Sequence, residues 1–375
     1  MLKWIALAAG LLLAACQTTN APPAHATTFG IQCVSANTCP VALVTAQNTL
    51  GAKVARMGAS YPLSAGQKTA VANYIANGNT LFLSFDANCG QYDDATFLAD
   101  LQASWAQLQG YGVTPQNVYA ASYYNEVDDP VNPQGCTIAQ YLHDFDTVFI
   151  PWAHSAGLKA TDSGITYTGL EVAYFYSTAK CTTPTTCTPT IATDQFYSQA
   201  MKPGVFANNL VNLYCSSNNP CVSAVPTTCS PSTNFTTNYL NRLASVQTLL
   251  ADFAVDGEDY TNFHWFWAGA SPIALMMPWL YNQTHQPLLT AATGTSSQSG
   301  IDLQNVLAAE AAQGAQLILW YVPDGQGGGA STGLLNDDGT LRPNGVAFKN
   351  YISSNPPPSG YGASAGAPIV PAPLC

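Results

Sequence analysis

The chain has 375 residues, and Lys and Arg supply 10 of them against 21 Asp and Glu, so charged side chains make up 8%, where an average globular domain has roughly 25%. An apolar share of 47% is enough for a large core and excludes intrinsic disorder. A net charge of −11 leaves no basic surface for a phosphate backbone and excludes nucleic acid as a partner. Only four of the acids are Glu, namely Glu126, Glu171, Glu258 and Glu310, so each can be weighed individually.

In chain order, Lys3 precedes the apolar run Trp4–Leu13 and then Leu13-Ala14-Ala15-Cys16. A short cationic start, about ten apolar residues and a small-residue cleavage site predict a secretory signal over residues 1–15. The run is too short to span a bilayer, which takes about 20 residues. Leu-Ala-Ala-Cys resembles a bacterial lipobox, which implies lipidation of Cys16, a tether over residues 16–28 and an extracytoplasmic protein anchored at the outer membrane or cell surface. Ten further cysteines, an even number in an oxidising compartment, point to disulfides. Cys89 and Cys136 follow predicted strands and are placed to bridge neighbouring loops, while Cys33 with Cys39 and Cys181 with Cys187 are spaced for local staples. No Cys-x2-Cys pair occurs, so no metal is expected, and no cofactor.

Strand and helix patterns then alternate. Strands are predicted over 28–33, 53–61, 80–86, 117–126, 159–166, 260–267, 287–293 and 316–322. Helices are predicted over 40–50, 64–77, 94–108, 138–156, 238–254, 271–281, 302–313 and 343–352, with Ser64 and Asp93 or Asp94 as caps. A Cys/Thr/Pro-rich insertion occupies about 170–233, after the fifth strand, and a Pro/Gly/Ala-rich tail runs over 354–375. Eight strand–helix units over 29–353 argue for an α/β fold of the (β/α)8 barrel type with a disulfide-rich insertion. No Gly-rich phosphate loop opens a helix, which weakens the open doubly wound alternative. Chemistry in such a barrel sits at the C-terminal ends of the strands, and the insertion would form a lid or cleft wall there.

Those ends carry a short set of residues. The second strand ends near Arg56, one of three arginines; the fourth ends Tyr123-Tyr124-Asn125-Glu126; the sixth includes His264; the eighth ends Trp320-Tyr321. Aromatic rings among hydrogen-bonding groups suit the face of a sugar. Arg56, Asn125, Glu126, His264 and Trp320 together resemble, in order and in strand position, the retaining glycoside hydrolase clan built on this barrel. The resemblance implies Glu126 as general acid/base, provided burial raises its pKa. It also implies Asn125 on a sugar 2-hydroxyl, His264 orienting a carboxylate or hydroxyl, and Trp320 as the floor of the cleavage subsite, with Tyr124 at the same rim. The substrate would be a neutral, β-linked oligo- or polysaccharide.

The seventh strand departs from that pattern. It reads Pro287-Leu288-Leu289-Thr290-Ala291-Ala292-Thr293-Gly294, and the position where the clan carries its nucleophilic Glu is Ala292. A methyl group cannot attack an anomeric carbon. Three readings stay open: a hydrolase using another acid (Glu258, Asp259, Asp86 or Asp324) at about 6.5–9.5 Å from Glu126, a non-catalytic glycan-binding pseudoenzyme, or a loss in an otherwise active lineage. Glu310, within Ala-rich sequence, is expected on a solvated helix face.

Overall fold

The computed structural model describes residues 27–32, 48–85, 89–90, 93–129, 136–178, 233–266, 269–295, 297–321, 333–336 and 339–356. The signal segment, Cys16, Cys33, Cys39, the cysteines from Cys181 to Cys229, Asp86, Trp267 and Asp324 lie outside them, as does most of the tether, the insertion and the tail.

Nine strands form one parallel sheet: β1 Thr28–Gln32, β2 Val54–Gly58, β3 Thr80–Phe85, β4 Val118–Tyr123, β5 Ala160–Thr161, β6 Ile165–Thr166, β7 Thr261–Phe266, β8 Leu288–Gly294 and β9 Leu317–Tyr321. Their spatial order runs β5-β4-β3-β2-β1-β9-β8-β7-β6. The two ends of that order, β5 and β6, are consecutive pieces of one strand interrupted by Asp162-Ser163-Gly164, and Thr161 also bridges Tyr260 at the start of β7. The sheet therefore curls into a ring with eight strand positions, the fifth shared by β5 and β6; β7, β8 and β9 hold the sixth, seventh and eighth. The single strand expected over 159–166 is a broken one.

Around it lie α1 Ala65–Ala76, α2 Asp94–Gly110, α3 Ile138–Asp144, a π-helical turn Phe145–Phe149 that leads into α4 Ile150–Ser155, then α5 Tyr167–Thr178, α6 Thr233–Phe253, α7 Ile273–Thr284, α8 Gly300–Ala312 and α9 Pro343–Ser354. Ser64 caps α1 in a reciprocal box with Gln67, and Asp93 caps α2 through the Thr96 N–H. Each such cap satisfies amides that the first helical turn leaves without partners. The chain segment expected to begin the insertion at 170 is instead helix α5, whose neighbours include α6, α7 and β7. Among the described residues no helix is long and apolar enough to cross a membrane. A disulfide joins Cys89 to Cys136 with Cα atoms 5.3 Å apart, as their positions after the third and fourth strands suggest.

Period-two alternation sorts the strand side chains. Val54, Phe82, Ala120, Leu289, Leu317 and Leu319 fill the barrel interior, while their neighbours Ala55, Leu83, Ala121 and Ile318 face the helices. Continuing the alternation toward the C-terminal ends brings Gln32, Arg56, Ser84, Ser122, His264, Phe266 and Tyr321 to the inner side of one mouth. Burying a shell of this size against helices on every side supplies the dominant folding term, at about 25 cal/mol per Å² of apolar surface.

Candidate active site

Arg56 is buried, yet it is surrounded by acceptors. Its Nη1 donates to the Ala291 carbonyl at 3.2 Å and to Gln32 Oε1 at 3.4 Å, and its Nη2 to Asn125 Oδ1 at 3.0 Å and Ser84 Oγ at 3.2 Å. Arg56 Nη1 also faces His264 Nε2 at 3.5 Å. A guanidinium can only donate, so Nε2 is the accepting nitrogen and the imidazole proton sits on Nδ1. That Nδ1–H donates to Glu126 Oε1 at 2.6 Å. Three residues from strand positions two, four and six thus form a relay whose hydrogen bonds all run one way, ending on the Glu126 carboxylate.

Glu126 is 20% exposed and His264 1%. Burial pushes the Glu126 carboxyl upward, but the hydrogen bond and electrostatic pull of His264, then Arg56 and Arg242, outweigh it and hold the group below the usual glutamate range. The expected upward shift does not occur, because the donors that fix the side chain also favour its charged form. Glu126 is therefore ionised near neutral pH.

The loop that presents it is strained. Tyr124 and Glu126 both have left-handed backbones, with φ of 66° and 51°, a conformation that costs a side-chain-bearing residue on the order of 1 kcal/mol. The Tyr124 N–H donates to the Phe85 carbonyl at 3.1 Å and the Glu126 N–H to the Ser163 carbonyl at 3.0 Å, which holds the turn. Below it Asp128 is buried, accepting from Thr166 N–H at 3.0 Å and Thr166 Oγ1 at 2.6 Å, with Arg242 Nη2 3.5 Å away. Burial pushes Asp128 upward, and Arg242 and Thr166 oppose that.

Two residues expected at the site face elsewhere. Tyr124 is buried between the sheet and α3, 6.2 Å from the Tyr123 ring and 6.3 Å from that of Tyr141. The left-handed backbone at Tyr124 accompanies a side chain packed in the helix layer. Trp320 is fully buried on the outer face of β9, packed on Phe348 of α9 at 6.4 Å. The inward position on that strand belongs to Tyr321, half-buried and 4.9 Å from the half-buried Phe266 ring. Burial, and then Glu126, raise the Tyr321 hydroxyl, while Arg56 opposes them. This edge-to-face pair at the mouth takes the place assigned to Trp320.

The seventh position carries a bulge. Pairing of β7 with β8 runs Phe263 to Thr290 and then His264 to Ala292, so Ala291 is the extra residue. The bulge turns the Ala291 carbonyl onto Arg56 and sets Ala292 in register with His264. Of the alternative acids, Glu258 and Asp259 do not reach the mouth, and Asp86 and Asp324 lie outside the described residues. Glu258 and Asp259 precede β7, at the opposite end of the barrel; Glu258 Oε1 accepts from Thr261 Oγ1 at 2.8 Å, and Asp259 Oδ2 from the Ala160 N–H at 2.9 Å. Glu310 is fully buried under β8 instead of solvated, its Oε1 accepting from Thr293 Oγ1 at 2.9 Å, and burial raises it to about 8. Its surroundings come from α9 packing over α8, which the Ala-rich local sequence does not announce.

Asp146, Asp252 and Asp256, in the helix layer, lie close enough for one ion. Burial and the neighbouring Asp252 raise Asp146 to about 7, and burial leads the rise of Asp256 to about 7, so protons answer this crowding of carboxyls. Asp94, His143 and Asp144 form a second group, in which Asp144 Oδ2 already accepts from the Gly90 N–H and the Tyr123 hydroxyl. Gln32, Ser84, Phe266, Tyr321, Asp128 and Arg242 carry no sequence motif; strict period-two counting from Leu319 would have found Tyr321.

No family model and no curated protein sequence matches the chain. Among solved structures, a GH5-4 broad specificity endoglucanase from Ruminococcus champanellensis, with bound cellotriose, aligns over 87% of this chain and 96% of its own at 12% identity and a TM-score of 0.47. A GH128 oligosaccharide-binding protein from Cryptococcus neoformans aligns over 88% and 94% at 12% identity and 0.44. The carboxyl transferase domain of Rhizobium etli pyruvate carboxylase aligns over 88% and 47% at 10% identity and 0.42. These likenesses concern architecture, and the barrel itself rests on the strand registers given above.

Proposed function

We propose that the protein is a glycoside-hydrolase-like enzyme acting on an O-glycosyl bond of a neutral, β-linked glycan, with Glu126 as its proton-transfer residue. The observation that carries the reading is the Arg56–His264–Glu126 relay, which opens at the barrel mouth beside the half-exposed Phe266 and Tyr321 rings. Rings of this kind take the apolar face of a sugar, and Asn125 and Gln32 offer amides for its hydroxyls. Of the two halves of an acid/base role, the base is the one the hydrogen bonds support, since Glu126 only accepts. With Ala292 at the seventh position a covalent glycosyl intermediate has no carboxylate to form on there, so the fitting step is a single displacement: Glu126 takes a proton from water, the water oxygen bonds the anomeric carbon as the glycosidic C–O bond breaks, and the departing oxygen keeps that electron pair and takes its proton from solvent. The same reading places the protein outside the cytoplasm, anchored through lipidated Cys16.

The methyl group of Ala292 favours a second reading, a saccharide-binding protein without turnover. Assays on aryl β-glycosides and on polysaccharides separate the two. The enzyme reading expects wild-type turnover that falls by about 10²–10⁴-fold in Glu126→Gln. Micromolar binding of oligosaccharide by calorimetry, with no turnover in either protein, would replace it with the binding reading.

A further inference from the structure

The break in the fifth strand reaches every member of the relay, Glu126 and His264 directly and Arg56 through Asn262 and Ala291. Asp162 is fully buried, and both of its oxygens accept backbone N–H groups: Oδ2 from Asn262 at 2.6 Å and Oδ1 from Gly164 at 2.7 Å. The first bond fixes Asn262, whose side-chain Oδ1 accepts the Ala291 N–H at 2.9 Å, and the Ala291 carbonyl in turn accepts from Arg56 at 3.2 Å. The second fixes Gly164, with φ of 81°, directly against His264; a Cβ at this position would overlap the imidazole Nε2. Between them Ser163 takes the Glu126 N–H on its carbonyl at 3.0 Å and the Val127 N–H on its hydroxyl at 3.4 Å. Its own N–H donates to the Tyr141 hydroxyl at 2.9 Å.

We propose that Asp162 is the positioning residue of the site, setting through Asn262, Gly164 and Ser163 where Arg56, His264 and Glu126 stand. A carboxylate suits this task because its two oxygens can each accept a separate backbone amide, and a break in a strand leaves such amides without ladder partners. An amide side chain offers one oxygen only, so Asp162→Asn sets an N–H against an N–H at either Gly164 or Asn262 and one arm of the support lets go. Glu258 lies beside Asp162, and burial raises both carboxyls; the charge of Asp162 pushes Glu258 further up, while the Asn262 and Gly164 amides pull Asp162 back, so of the two Glu258 holds its proton the more firmly.

The inference rests on the reading of Arg56, His264 and Glu126 as the working site, but its principal readout needs no substrate. In full-length protein labelled with 15N-histidine, the Nδ1 proton of His264, bonded to a carboxylate at 2.6 Å, gives a far-downfield resonance, assigned by its loss in His264→Gln. Asp162→Asn is expected to move that resonance upfield or broaden it, whereas Glu310→Gln, at a fully buried carboxyl whose hydrogen-bond partner is Thr293 and not a relay residue, leaves it in place. A folded Asp162→Asn protein with an unchanged resonance would overturn the proposal. Should that variant not fold, Gly164→Ala, which presses on the imidazole directly, must displace the same resonance, and an unchanged signal there is equally fatal. On any glycoside that turns over, Asp162→Asn is expected to lower kcat with little change in KM. A protein without turnover whose resonance still responds to Asp162→Asn would defeat the hydrolase reading and leave the positioning role standing.

Discussion

Two enclosed glutamates, Glu310 behind the seventh strand position and Glu126 after the fourth, end in opposite protonation states. Glu310, on the helix side of β8, has a single hydroxyl donor in Thr293 and is raised to about 8. Glu126, across the mouth, is also largely enclosed, yet it sits below the ordinary range because His264 donates to it and two guanidinium groups lie near. Burial alone therefore does not decide the charge of a carboxyl in this molecule. What decides it is whether the donors and cations outweigh the burial, as they do at Glu126 and do not at Asp128. The helix layer follows the first pattern at Asp146 and Asp256, and the mouth follows the second.

The most damaging way to break that contrast is to remove its main donor. Arg56→Met would strip hydrogen bonds from Gln32, Ser84, Asn125 and the Ala291 carbonyl at once. Leaving such buried acceptors without a partner is expected to cost about 3 kcal/mol or more in denaturant unfolding. The Glu126 pKa should rise in the same variant.

A second effect is the slope of stability with pH. Asp146 and Asp256 near 7 and Glu310 near 8 hold protons in the folded state that the unfolded chain releases near about 4. Between those limits the folded protein binds more protons, so its stability falls as pH rises. The melting temperature should be higher at pH 5 than at pH 8, and a flat or rising profile would contradict the proton count. The smallest effect belongs to Glu310→Gln, which at pH 6 should shift stability by less than about 1 kcal/mol, because a neutral amide replaces a neutral acid. At pH 9 the variant should be the more stable protein, since wild type must then either bury a charge or lose the Thr293 contact.

Much of the frame is legible in the sequence. Ser64 and Asp93 announce their helices by cap chemistry, and the alternation of apolar strands with amphipathic helices gives the ring of eight positions. Order along the chain also brought Arg56, Glu126 and His264 to one end. What could not be read was side-chain direction where the period is interrupted. The bulge at Ala291 and the left-handed turns at Tyr124 and Glu126 reset the alternation locally, and neither leaves a mark in residue type. Trp320 drew attention as the larger ring, but parity from Leu319 gives the inward place to Tyr321. Asp162 carries no signal in the sequence, because its partners Asn262 and Ala291 lie 100 or more residues away.

The broken strand has one more consequence, a mechanical one. β5 matches β4 through only Ala160 and Thr161, and β6 matches β7 through Ile165 and Thr166, whereas β1 lies against β9 along five residues. The barrel thus has a seam, and the seam runs beside the imidazole. Sub-global opening starts where ladders are shortest, so the first excursion from the closed ring would uncouple His264 from Glu126 while the rest of the wall stays shut.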